Sequence, residues 1–229
     1  MYRAFSIKQL ITAFGLLAVA CFVALTFITP PPDIVAGIRL ALAAPTFASI
    51  LLAVAGSKVV FPWIWRLGWV QKLFFPYVNG VWSGEVTSNW PVHEKMREFA
   101  GDGRRKIDPG SVSVDSEPAL KREVEVTIEA SFFSFEATLR SVDDYQHSTT
   151  LVVQPQCRSE GQPARLFYFY QATVPIPKPT DAGSHHGAAK LDVLIDPNGE
   201  VSLKGHYWTD REWHLGNNTA GTLVLRRKA

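Results

Sequence analysis

Residues 10 to 28 read LITAFGLLAVACFVALTFI, nineteen positions without a charge. A helix of about 20 apolar residues spans the hydrocarbon core of a bilayer. Thr29-Pro30-Pro31-Pro32-Asp33 ends the run in a turn, because three successive prolines lack the donor N–H that a helix interior needs. A second apolar run, residues 34 to 57, carries one charge, Arg39, and one proline, Pro45. Arg39 lies close enough to the turn to snorkel to an interface, and a membrane helix tolerates Pro45 or kinks there. Arg3 and Lys8 precede the first run, Lys58, Arg66 and Lys72 follow the second, and the connecting turn has no basic residue. The positive-inside rule then places both ends in the cytoplasm, with Trp63, Trp65, Trp69 and Tyr77 expected as an interfacial belt. A cleaved signal peptide, a lipoprotein site at Ala18-Val19-Ala20-Cys21 and a buried soluble hairpin are the competing readings. The second run following at once argues against a signal peptide, and apolar Phe22 to Leu25 after Cys21 argue against a lipoprotein. The sequence therefore predicts a two-span hairpin with a juxtamembrane segment over residues 1–75.

Charge narrows the partners. Four of the 23 Lys and Arg residues, and one of the 21 Asp and Glu, fall before residue 61, which leaves the remainder slightly acidic. No basic field exists to hold a long nucleic acid by counterion release, although a local pocket can still take a small anion. Two cysteines, Cys21 and Cys157, make no disulfide framework.

From Pro76 the pattern changes to alternation with period two. Strands are expected at Val81–Thr87, at Glu123–Ala130, from Phe133 through Phe135 and Ala137 to Leu139, at Ser148–Val153, Leu166–Ala172, Ala189–Ile195, Val201–Trp208 and Thr219–Leu225. Asp196-Pro197-Asn198-Gly199 is a turn signal between two of them. Eight short strands at hairpin-like spacing predict a small antiparallel up-and-down β-barrel over residues 76–229. A barrel of that size fills its interior or holds one small ligand. Val92–Ala100 reads as a short helix and residues 101–120 as a long polar loop.

Conventional catalytic signatures are missing: no phosphate loop, no dinucleotide fingerprint, no C-x-x-C, no H-E-x-x-H and no G-x-S-x-G. The pair His185-His186 suggests metal only weakly, since adjacent strand residues point to opposite faces. No cofactor, no metal and no enzymatic activity are expected. Spacing by two puts Tyr168 with Tyr170, His185 with Gly187, and Gly205 with Tyr207, Thr209 and Arg211, if that last strand continues. Were the apolar partners of these residues to fill the barrel, its mouth would gather tyrosines, a histidine, a threonine and an arginine. Aromatic faces with a guanidinium suit a nucleobase and a phosphate; mutual capping of the same groups at a barrel end is the plainer alternative. Trp82, in Gly80-Val81-Trp82-Ser83-Gly84, is a candidate ligand contact or a plug in the barrel floor.

The order of these features resembles a known family. Two spans are followed by PYVNGVWSGEV at 76–86, LFYFY at 166–170, HHGAAKL at 185–191, LKGHYWTDR at 203–211 and AGTLVLRR at 220–227. This is similar to the two-transmembrane, β-strand-rich effectors of bacterial CBASS anti-phage systems. The resemblance implies an inner-membrane protein with a cytosolic barrel that binds a cyclic dinucleotide second messenger. Self-association, disruption of the bilayer and abortive infection would follow. Carried onto this chain, the matching elements are the aromatic strand at Tyr168 and Tyr170, His185 with Gly187, and Gly205 to Arg211; that Tyr168, Tyr170, His185, Tyr207, Thr209 and Arg211, with Trp82, contact the ligand is an expectation from their facing and chemistry. The charged insertion at 91–121 departs from the pattern. The alternative reading is a membrane-tethered, lipocalin-like carrier of a lipid or small metabolite; a nucleotide-acting enzyme and a solid-barrel scaffold are further alternatives.

Overall fold

A computed structural model describes residues 1–101, 121–177 and 182–228. The expected loop after residue 101, and with it most of the 91–121 insertion, lies outside the described residues. The chain divides into two compact units, Met1–Gln71 with Ala130–Ser134, and Lys72–Glu129 with Phe135–Ala229.

The first unit holds two long apolar helices. Helix α1, Ile7–Ile28, starts at a capping box in which the Ser6 side chain accepts from the Gln9 backbone N–H and the Gln9 side chain accepts from the Ser6 N–H. Helix α2, Ile34–Ala55, is capped by Asp33, whose carboxylate accepts from the Ala36 N–H at 2.7 Å. Pro45 sits inside α2, and the Ser49 hydroxyl donates to the Pro45 carbonyl at 2.8 Å. Each helix has 22 residues, about 33 Å at about 1.5 Å per residue. Both are long and apolar enough to cross a bilayer. They touch through small side chains, Cys21 against Ala44 and Ala48, with Phe14, Leu17 and Phe22 around them. Their outward faces are left bare: Phe27, Ile34 and Leu42 are among the many exposed apolar side chains. So continuous an apolar surface is out of place in water.

Two short helices follow, α3 at Phe61–Trp65 and α4 at Gly68–Leu73. Trp63 and Trp69 are exposed, as a belt requires, but Trp65 and Tyr77 are buried. Trp65 packs against Phe61 in a tilted ring contact with centroids 5.5 Å apart. Tyr77 lies under the Arg227 guanidinium. Both are packing residues.

The second unit is a closed antiparallel barrel of eight strands in simple sequence order. The strands are β1 Gly80–Thr87, β2 Lys121–Ala130, β3 Phe135–Ser141, β4 His147–Gln156, β5 Ala164–Thr173, β6 Ser184–Ile195, β7 Val201–Thr209 and β8 Ala220–Arg227. Pairing of β8 with β1 closes the ring, leaving no open sheet edge. Alternation sets the register: Val124, Val126 and Ile128 of β2 and Ala189, Leu191 and Val193 of β6 point inward and are buried. Helix α5, Trp90–Gly101, follows β1.

Two details depart from simple alternation. The third strand starts at Phe135, and Phe133 lies in the turn before it. There the Ser131 hydroxyl accepts from the N–H groups of Phe133 and Ser134, a local competitor to strand pairing. In β4 the register shifts between Thr150 and Val152, so that Leu151 and Val152 are both exposed before Val153 turns back inside. A bulge of this kind adds a residue and reverses the facing downstream.

Candidate functional site

The barrel interior is solid at one end. Trp82 is fully buried, its indole N–H donates to the Val78 carbonyl at 2.9 Å, and the Arg227 guanidinium covers its ring at 4.9 Å. Leu166, Val193, Leu203 and Leu225, one each on β5, β6, β7 and β8, are buried as well. Trp82 is therefore placed as a plug and stands apart from the cavity residues.

At the other end the interior opens into a cavity of about 430 Å³. Tyr168, Tyr170, His185, Tyr207, Thr209 and Arg211 all line it, so the structure brings six of the seven sequence-derived residues together. Strand β7 ends at Thr209, and Arg211 sits in the turn beyond it, just before Glu212 with its left-handed φ of 38°. The alternation argument thus fails for Arg211 even though its side chain reaches the cavity. Asp210 fixes that turn: its N–H donates to the His186 carbonyl, and its carboxylate accepts from the His186 N–H at 2.6 Å.

The tyrosines form an aromatic wall. Tyr168 and Tyr170 are 5.8 Å apart, centroid to centroid, and pack with Tyr207 around Ala172 and Ala189. Two glycines make room for the rings. Gly187 faces Tyr170 across β5–β6, and a Cβ there would collide with the phenol. Gly221 faces Tyr207 across β7–β8, where a Cβ would come within 2.9 Å of the ring. The Tyr207 hydroxyl bonds Ser88, and both Arg122 and Arg211 are close enough to act on it. Burial pushes all three phenols above their ordinary value. Their neutral form is the folded form, so their contribution to stability is complete below about pH 10 and declines above it. The barrel is expected to lose thermal stability as pH rises beyond 10, and Tyr168→Phe with Tyr170→Phe should flatten that decline. A thermal denaturation series from pH 8 to 11 measures it.

Other lining residues went unnoticed in the sequence. Arg122 continues the inward face of Val124, Val126 and Ile128 by one more alternation step, a signal that was present. Its guanidinium lies 4.2 Å from the Tyr145 ring centroid and 3.6 Å from the Asp143 carboxylate. Trp90, Pro91 and Glu94 bring the start of α5 to the cavity. Trp90 is stacked by Arg211 at 4.8 Å and by Arg97 at 5.1 Å, and its indole N–H donates to the Glu94 carboxylate at 2.8 Å. Arg97 donates to the Asn217 side chain, and the Asn89 amide oxygen accepts from the Ala220 N–H at 2.9 Å. These bonds tie α5 to the beginning of β8 and the loop before it. No sequence period could announce Trp90, because a helix of 12 residues bears on a site built from strands.

Thr209 has less to offer a ligand than its spacing suggested, since its hydroxyl is engaged with the Thr219 hydroxyl at 3.0 Å and accepts from the Thr219 N–H. His185 is buried in the wall, whereas His186 points outward and stacks on Phe169 at 5.5 Å. Among the described residues no three His, Cys, Asp or Glu side chains gather to hold a metal ion.

The described architecture is thus a closed eight-stranded barrel with a tyrosine-walled, arginine-bearing cavity, in a chain that also holds two bilayer-length apolar helices. Comparison with known proteins finds a relative. The chain is 26% identical over 169 residues to CD-NTase-associated protein 15 of Escherichia albertii, a match covering 72% of this chain and 71% of that protein. The chain is a homologue of that protein, and the resemblance drawn from its sequence is upheld. No family model matches the chain.

Proposed function

We propose that the protein is a membrane-anchored, non-enzymatic effector of an anti-phage system whose barrel cavity takes a cyclic dinucleotide. Ligand binding favours a self-associated state, and the clustered helices disrupt the bacterial inner membrane, ending infection by killing the host cell. Residues 1–75 are the anchor and residues 76–229 the sensor, with both termini and the barrel cytoplasmic. The observation that carries this reading is the cavity lining: Tyr145, Tyr168, Tyr170, Tyr207 and Trp90 beside two guanidiniums, Arg122 and Arg211. Stacking surfaces suit bases, and planar guanidiniums suit phosphates. A carrier of apolar lipid has no need of either arginine. A ligand shifts the resting equilibrium only as far as it prefers the associated state.

The test is calorimetric titration of the full chain, held in lipid nanodiscs, with a panel of cyclic dinucleotides. Saturable binding of one member supports the reading; binding of lipids alone moves the barrel to the carrier class. Trp90→Ala should weaken the bound dinucleotide by about 5- to 150-fold, the range expected if a stacking face worth about 1–3 kcal/mol is lost. Trp90→Phe should retain most of the affinity.

A further inference from the structure

The outside of the barrel is electrically polarised. In a ring of eight strands in sequence order, β2 stands opposite β6 and β3 opposite β7. The outward side chains of β2 include Glu123, Glu125 and Glu129, with Glu136 beside them on β3 and Glu85 on β1. Glu123, Glu129 and Glu136 are exposed. Lys121 pairs with Glu85 at 3.4 Å and Lys228 with Glu125 at 2.8 Å. Further round the ring, Lys190 of β6, Lys204 and His206 of β7 and Arg226 of β8 face outward. On that side Asp192 is held by Arg165 at 2.6 Å. Trp208, on the outer face of β7 two residues beyond His206, is 52% exposed.

The acidic side is only partly neutralised within the barrel: Lys121 and Lys228 hold Glu85 and Glu125, and the exposed Arg140 of β3 is held by Asp144. Glu85 and Glu123 are directly opposed across β1–β2, and like charges so placed are destabilising. Lysines and arginines from outside would relieve that repulsion. We propose that the β6–β8 face of one copy docks on the β1–β3 face of the next, so that this chain associates head to tail through its barrels. This rests on the self-association in the proposed function and adds its surface. The two faces are different patches of one ring, centred three strands apart on β7 and β2, so the contact between copies is heterologous. Charge complementarity of this kind sets orientation and is weakened by salt. Confinement to a membrane supplies a high effective concentration, so a weak contact suffices.

The experiment uses the full chain in phosphatidylcholine vesicles, with energy transfer between differently labelled copies read with and without cyclic dinucleotide, at 0.05 and about 0.5 M salt. Wild type should show transfer that high salt reduces severalfold. Lys204→Glu with Arg226→Glu gives two acidic faces, and Glu123→Lys with Glu129→Lys gives two basic ones. Each variant alone should lose most of the transfer, and an equimolar mixture should regain it by alternating. Undiminished transfer in either variant alone, or a mixture that stays dispersed, overturns the proposal. So does a wild type that never associates, or a reversal whose effect appears only with anionic phosphatidylserine vesicles, which would make the basic face a lipid surface. Calorimetry on the same samples separates the two readings: ligand binding by both variants at wild-type affinity shows the cavity intact whatever the association result.

Discussion

Arg211→Ala is expected to lower cyclic dinucleotide affinity by about 10- to 150-fold, because a hydrogen bond to a charged group is worth about 1.5–3 kcal/mol. The residue is not needed to close the barrel. It lies in the turn after β7, and its side chain rests on Trp90 at the cavity. Thermal stability should therefore change little. Arg211→Lys keeps the charge and loses the planar fork, so it should recover only part of the affinity. Arg122→Ala should weaken binding too, and the double variant tests whether the two guanidiniums act on separate phosphates. Near-additive losses in free energy mean separate partners; strong coupling means a shared one. Calorimetry on the four proteins checks this.

The second large effect falls on stability. Trp82→Ala should destabilise the barrel by about 3–5 kcal/mol, the usual cost of removing a buried aromatic and leaving a cavity. The side chain has no exposed surface, its N–H is bonded to the Val78 carbonyl, and Arg227 stacks on it. For a unit of about 150 residues that loss lowers the midpoint by roughly 6–20 °C. Trp82→Phe should cost less, retaining the plug and giving up the hydrogen bond. Near-ultraviolet circular dichroism during heating measures both. If Trp82 instead contacted ligand, Trp82→Phe would change affinity at unchanged midpoint, contrary to its placement away from the cavity.

The contrast between these two residues shows what a single sequence can carry. Trp82 and Tyr168 both follow from strand alternation, but facing inward does not say at which end of a barrel a side chain lies. Depth depends on shear and on which strands reach past the rim, which no local period records. The barrel itself was legible because its buried faces are written as alternating Val, Ile and Leu, and the first long apolar helix because a 19-residue uncharged run holds no break. Phe133 was misplaced since it keeps the alternation while Ser131 diverts the backbone hydrogen bonds. Arg211 reached the cavity for a reason other than the one that first singled it out. Its strand had ended, and the turn held by Asp210 and His186 delivers it. Trp90 and Arg97 were invisible as a site because their importance comes from where α5 returns against the start of β8.

The most direct test joins the cavity to the bilayer. Full-length protein is reconstituted into dye-loaded vesicles of bacterial lipid, and the cyclic dinucleotide that binds best is added from the side on which the barrel is exposed. The account predicts dye release that saturates with the binding curve and is shifted to higher ligand concentration, by the same factor as the affinity, in Arg211→Ala. Vesicles that stay sealed while the cavity is saturated would contradict it, as would release that is indifferent to ligand or to Arg211.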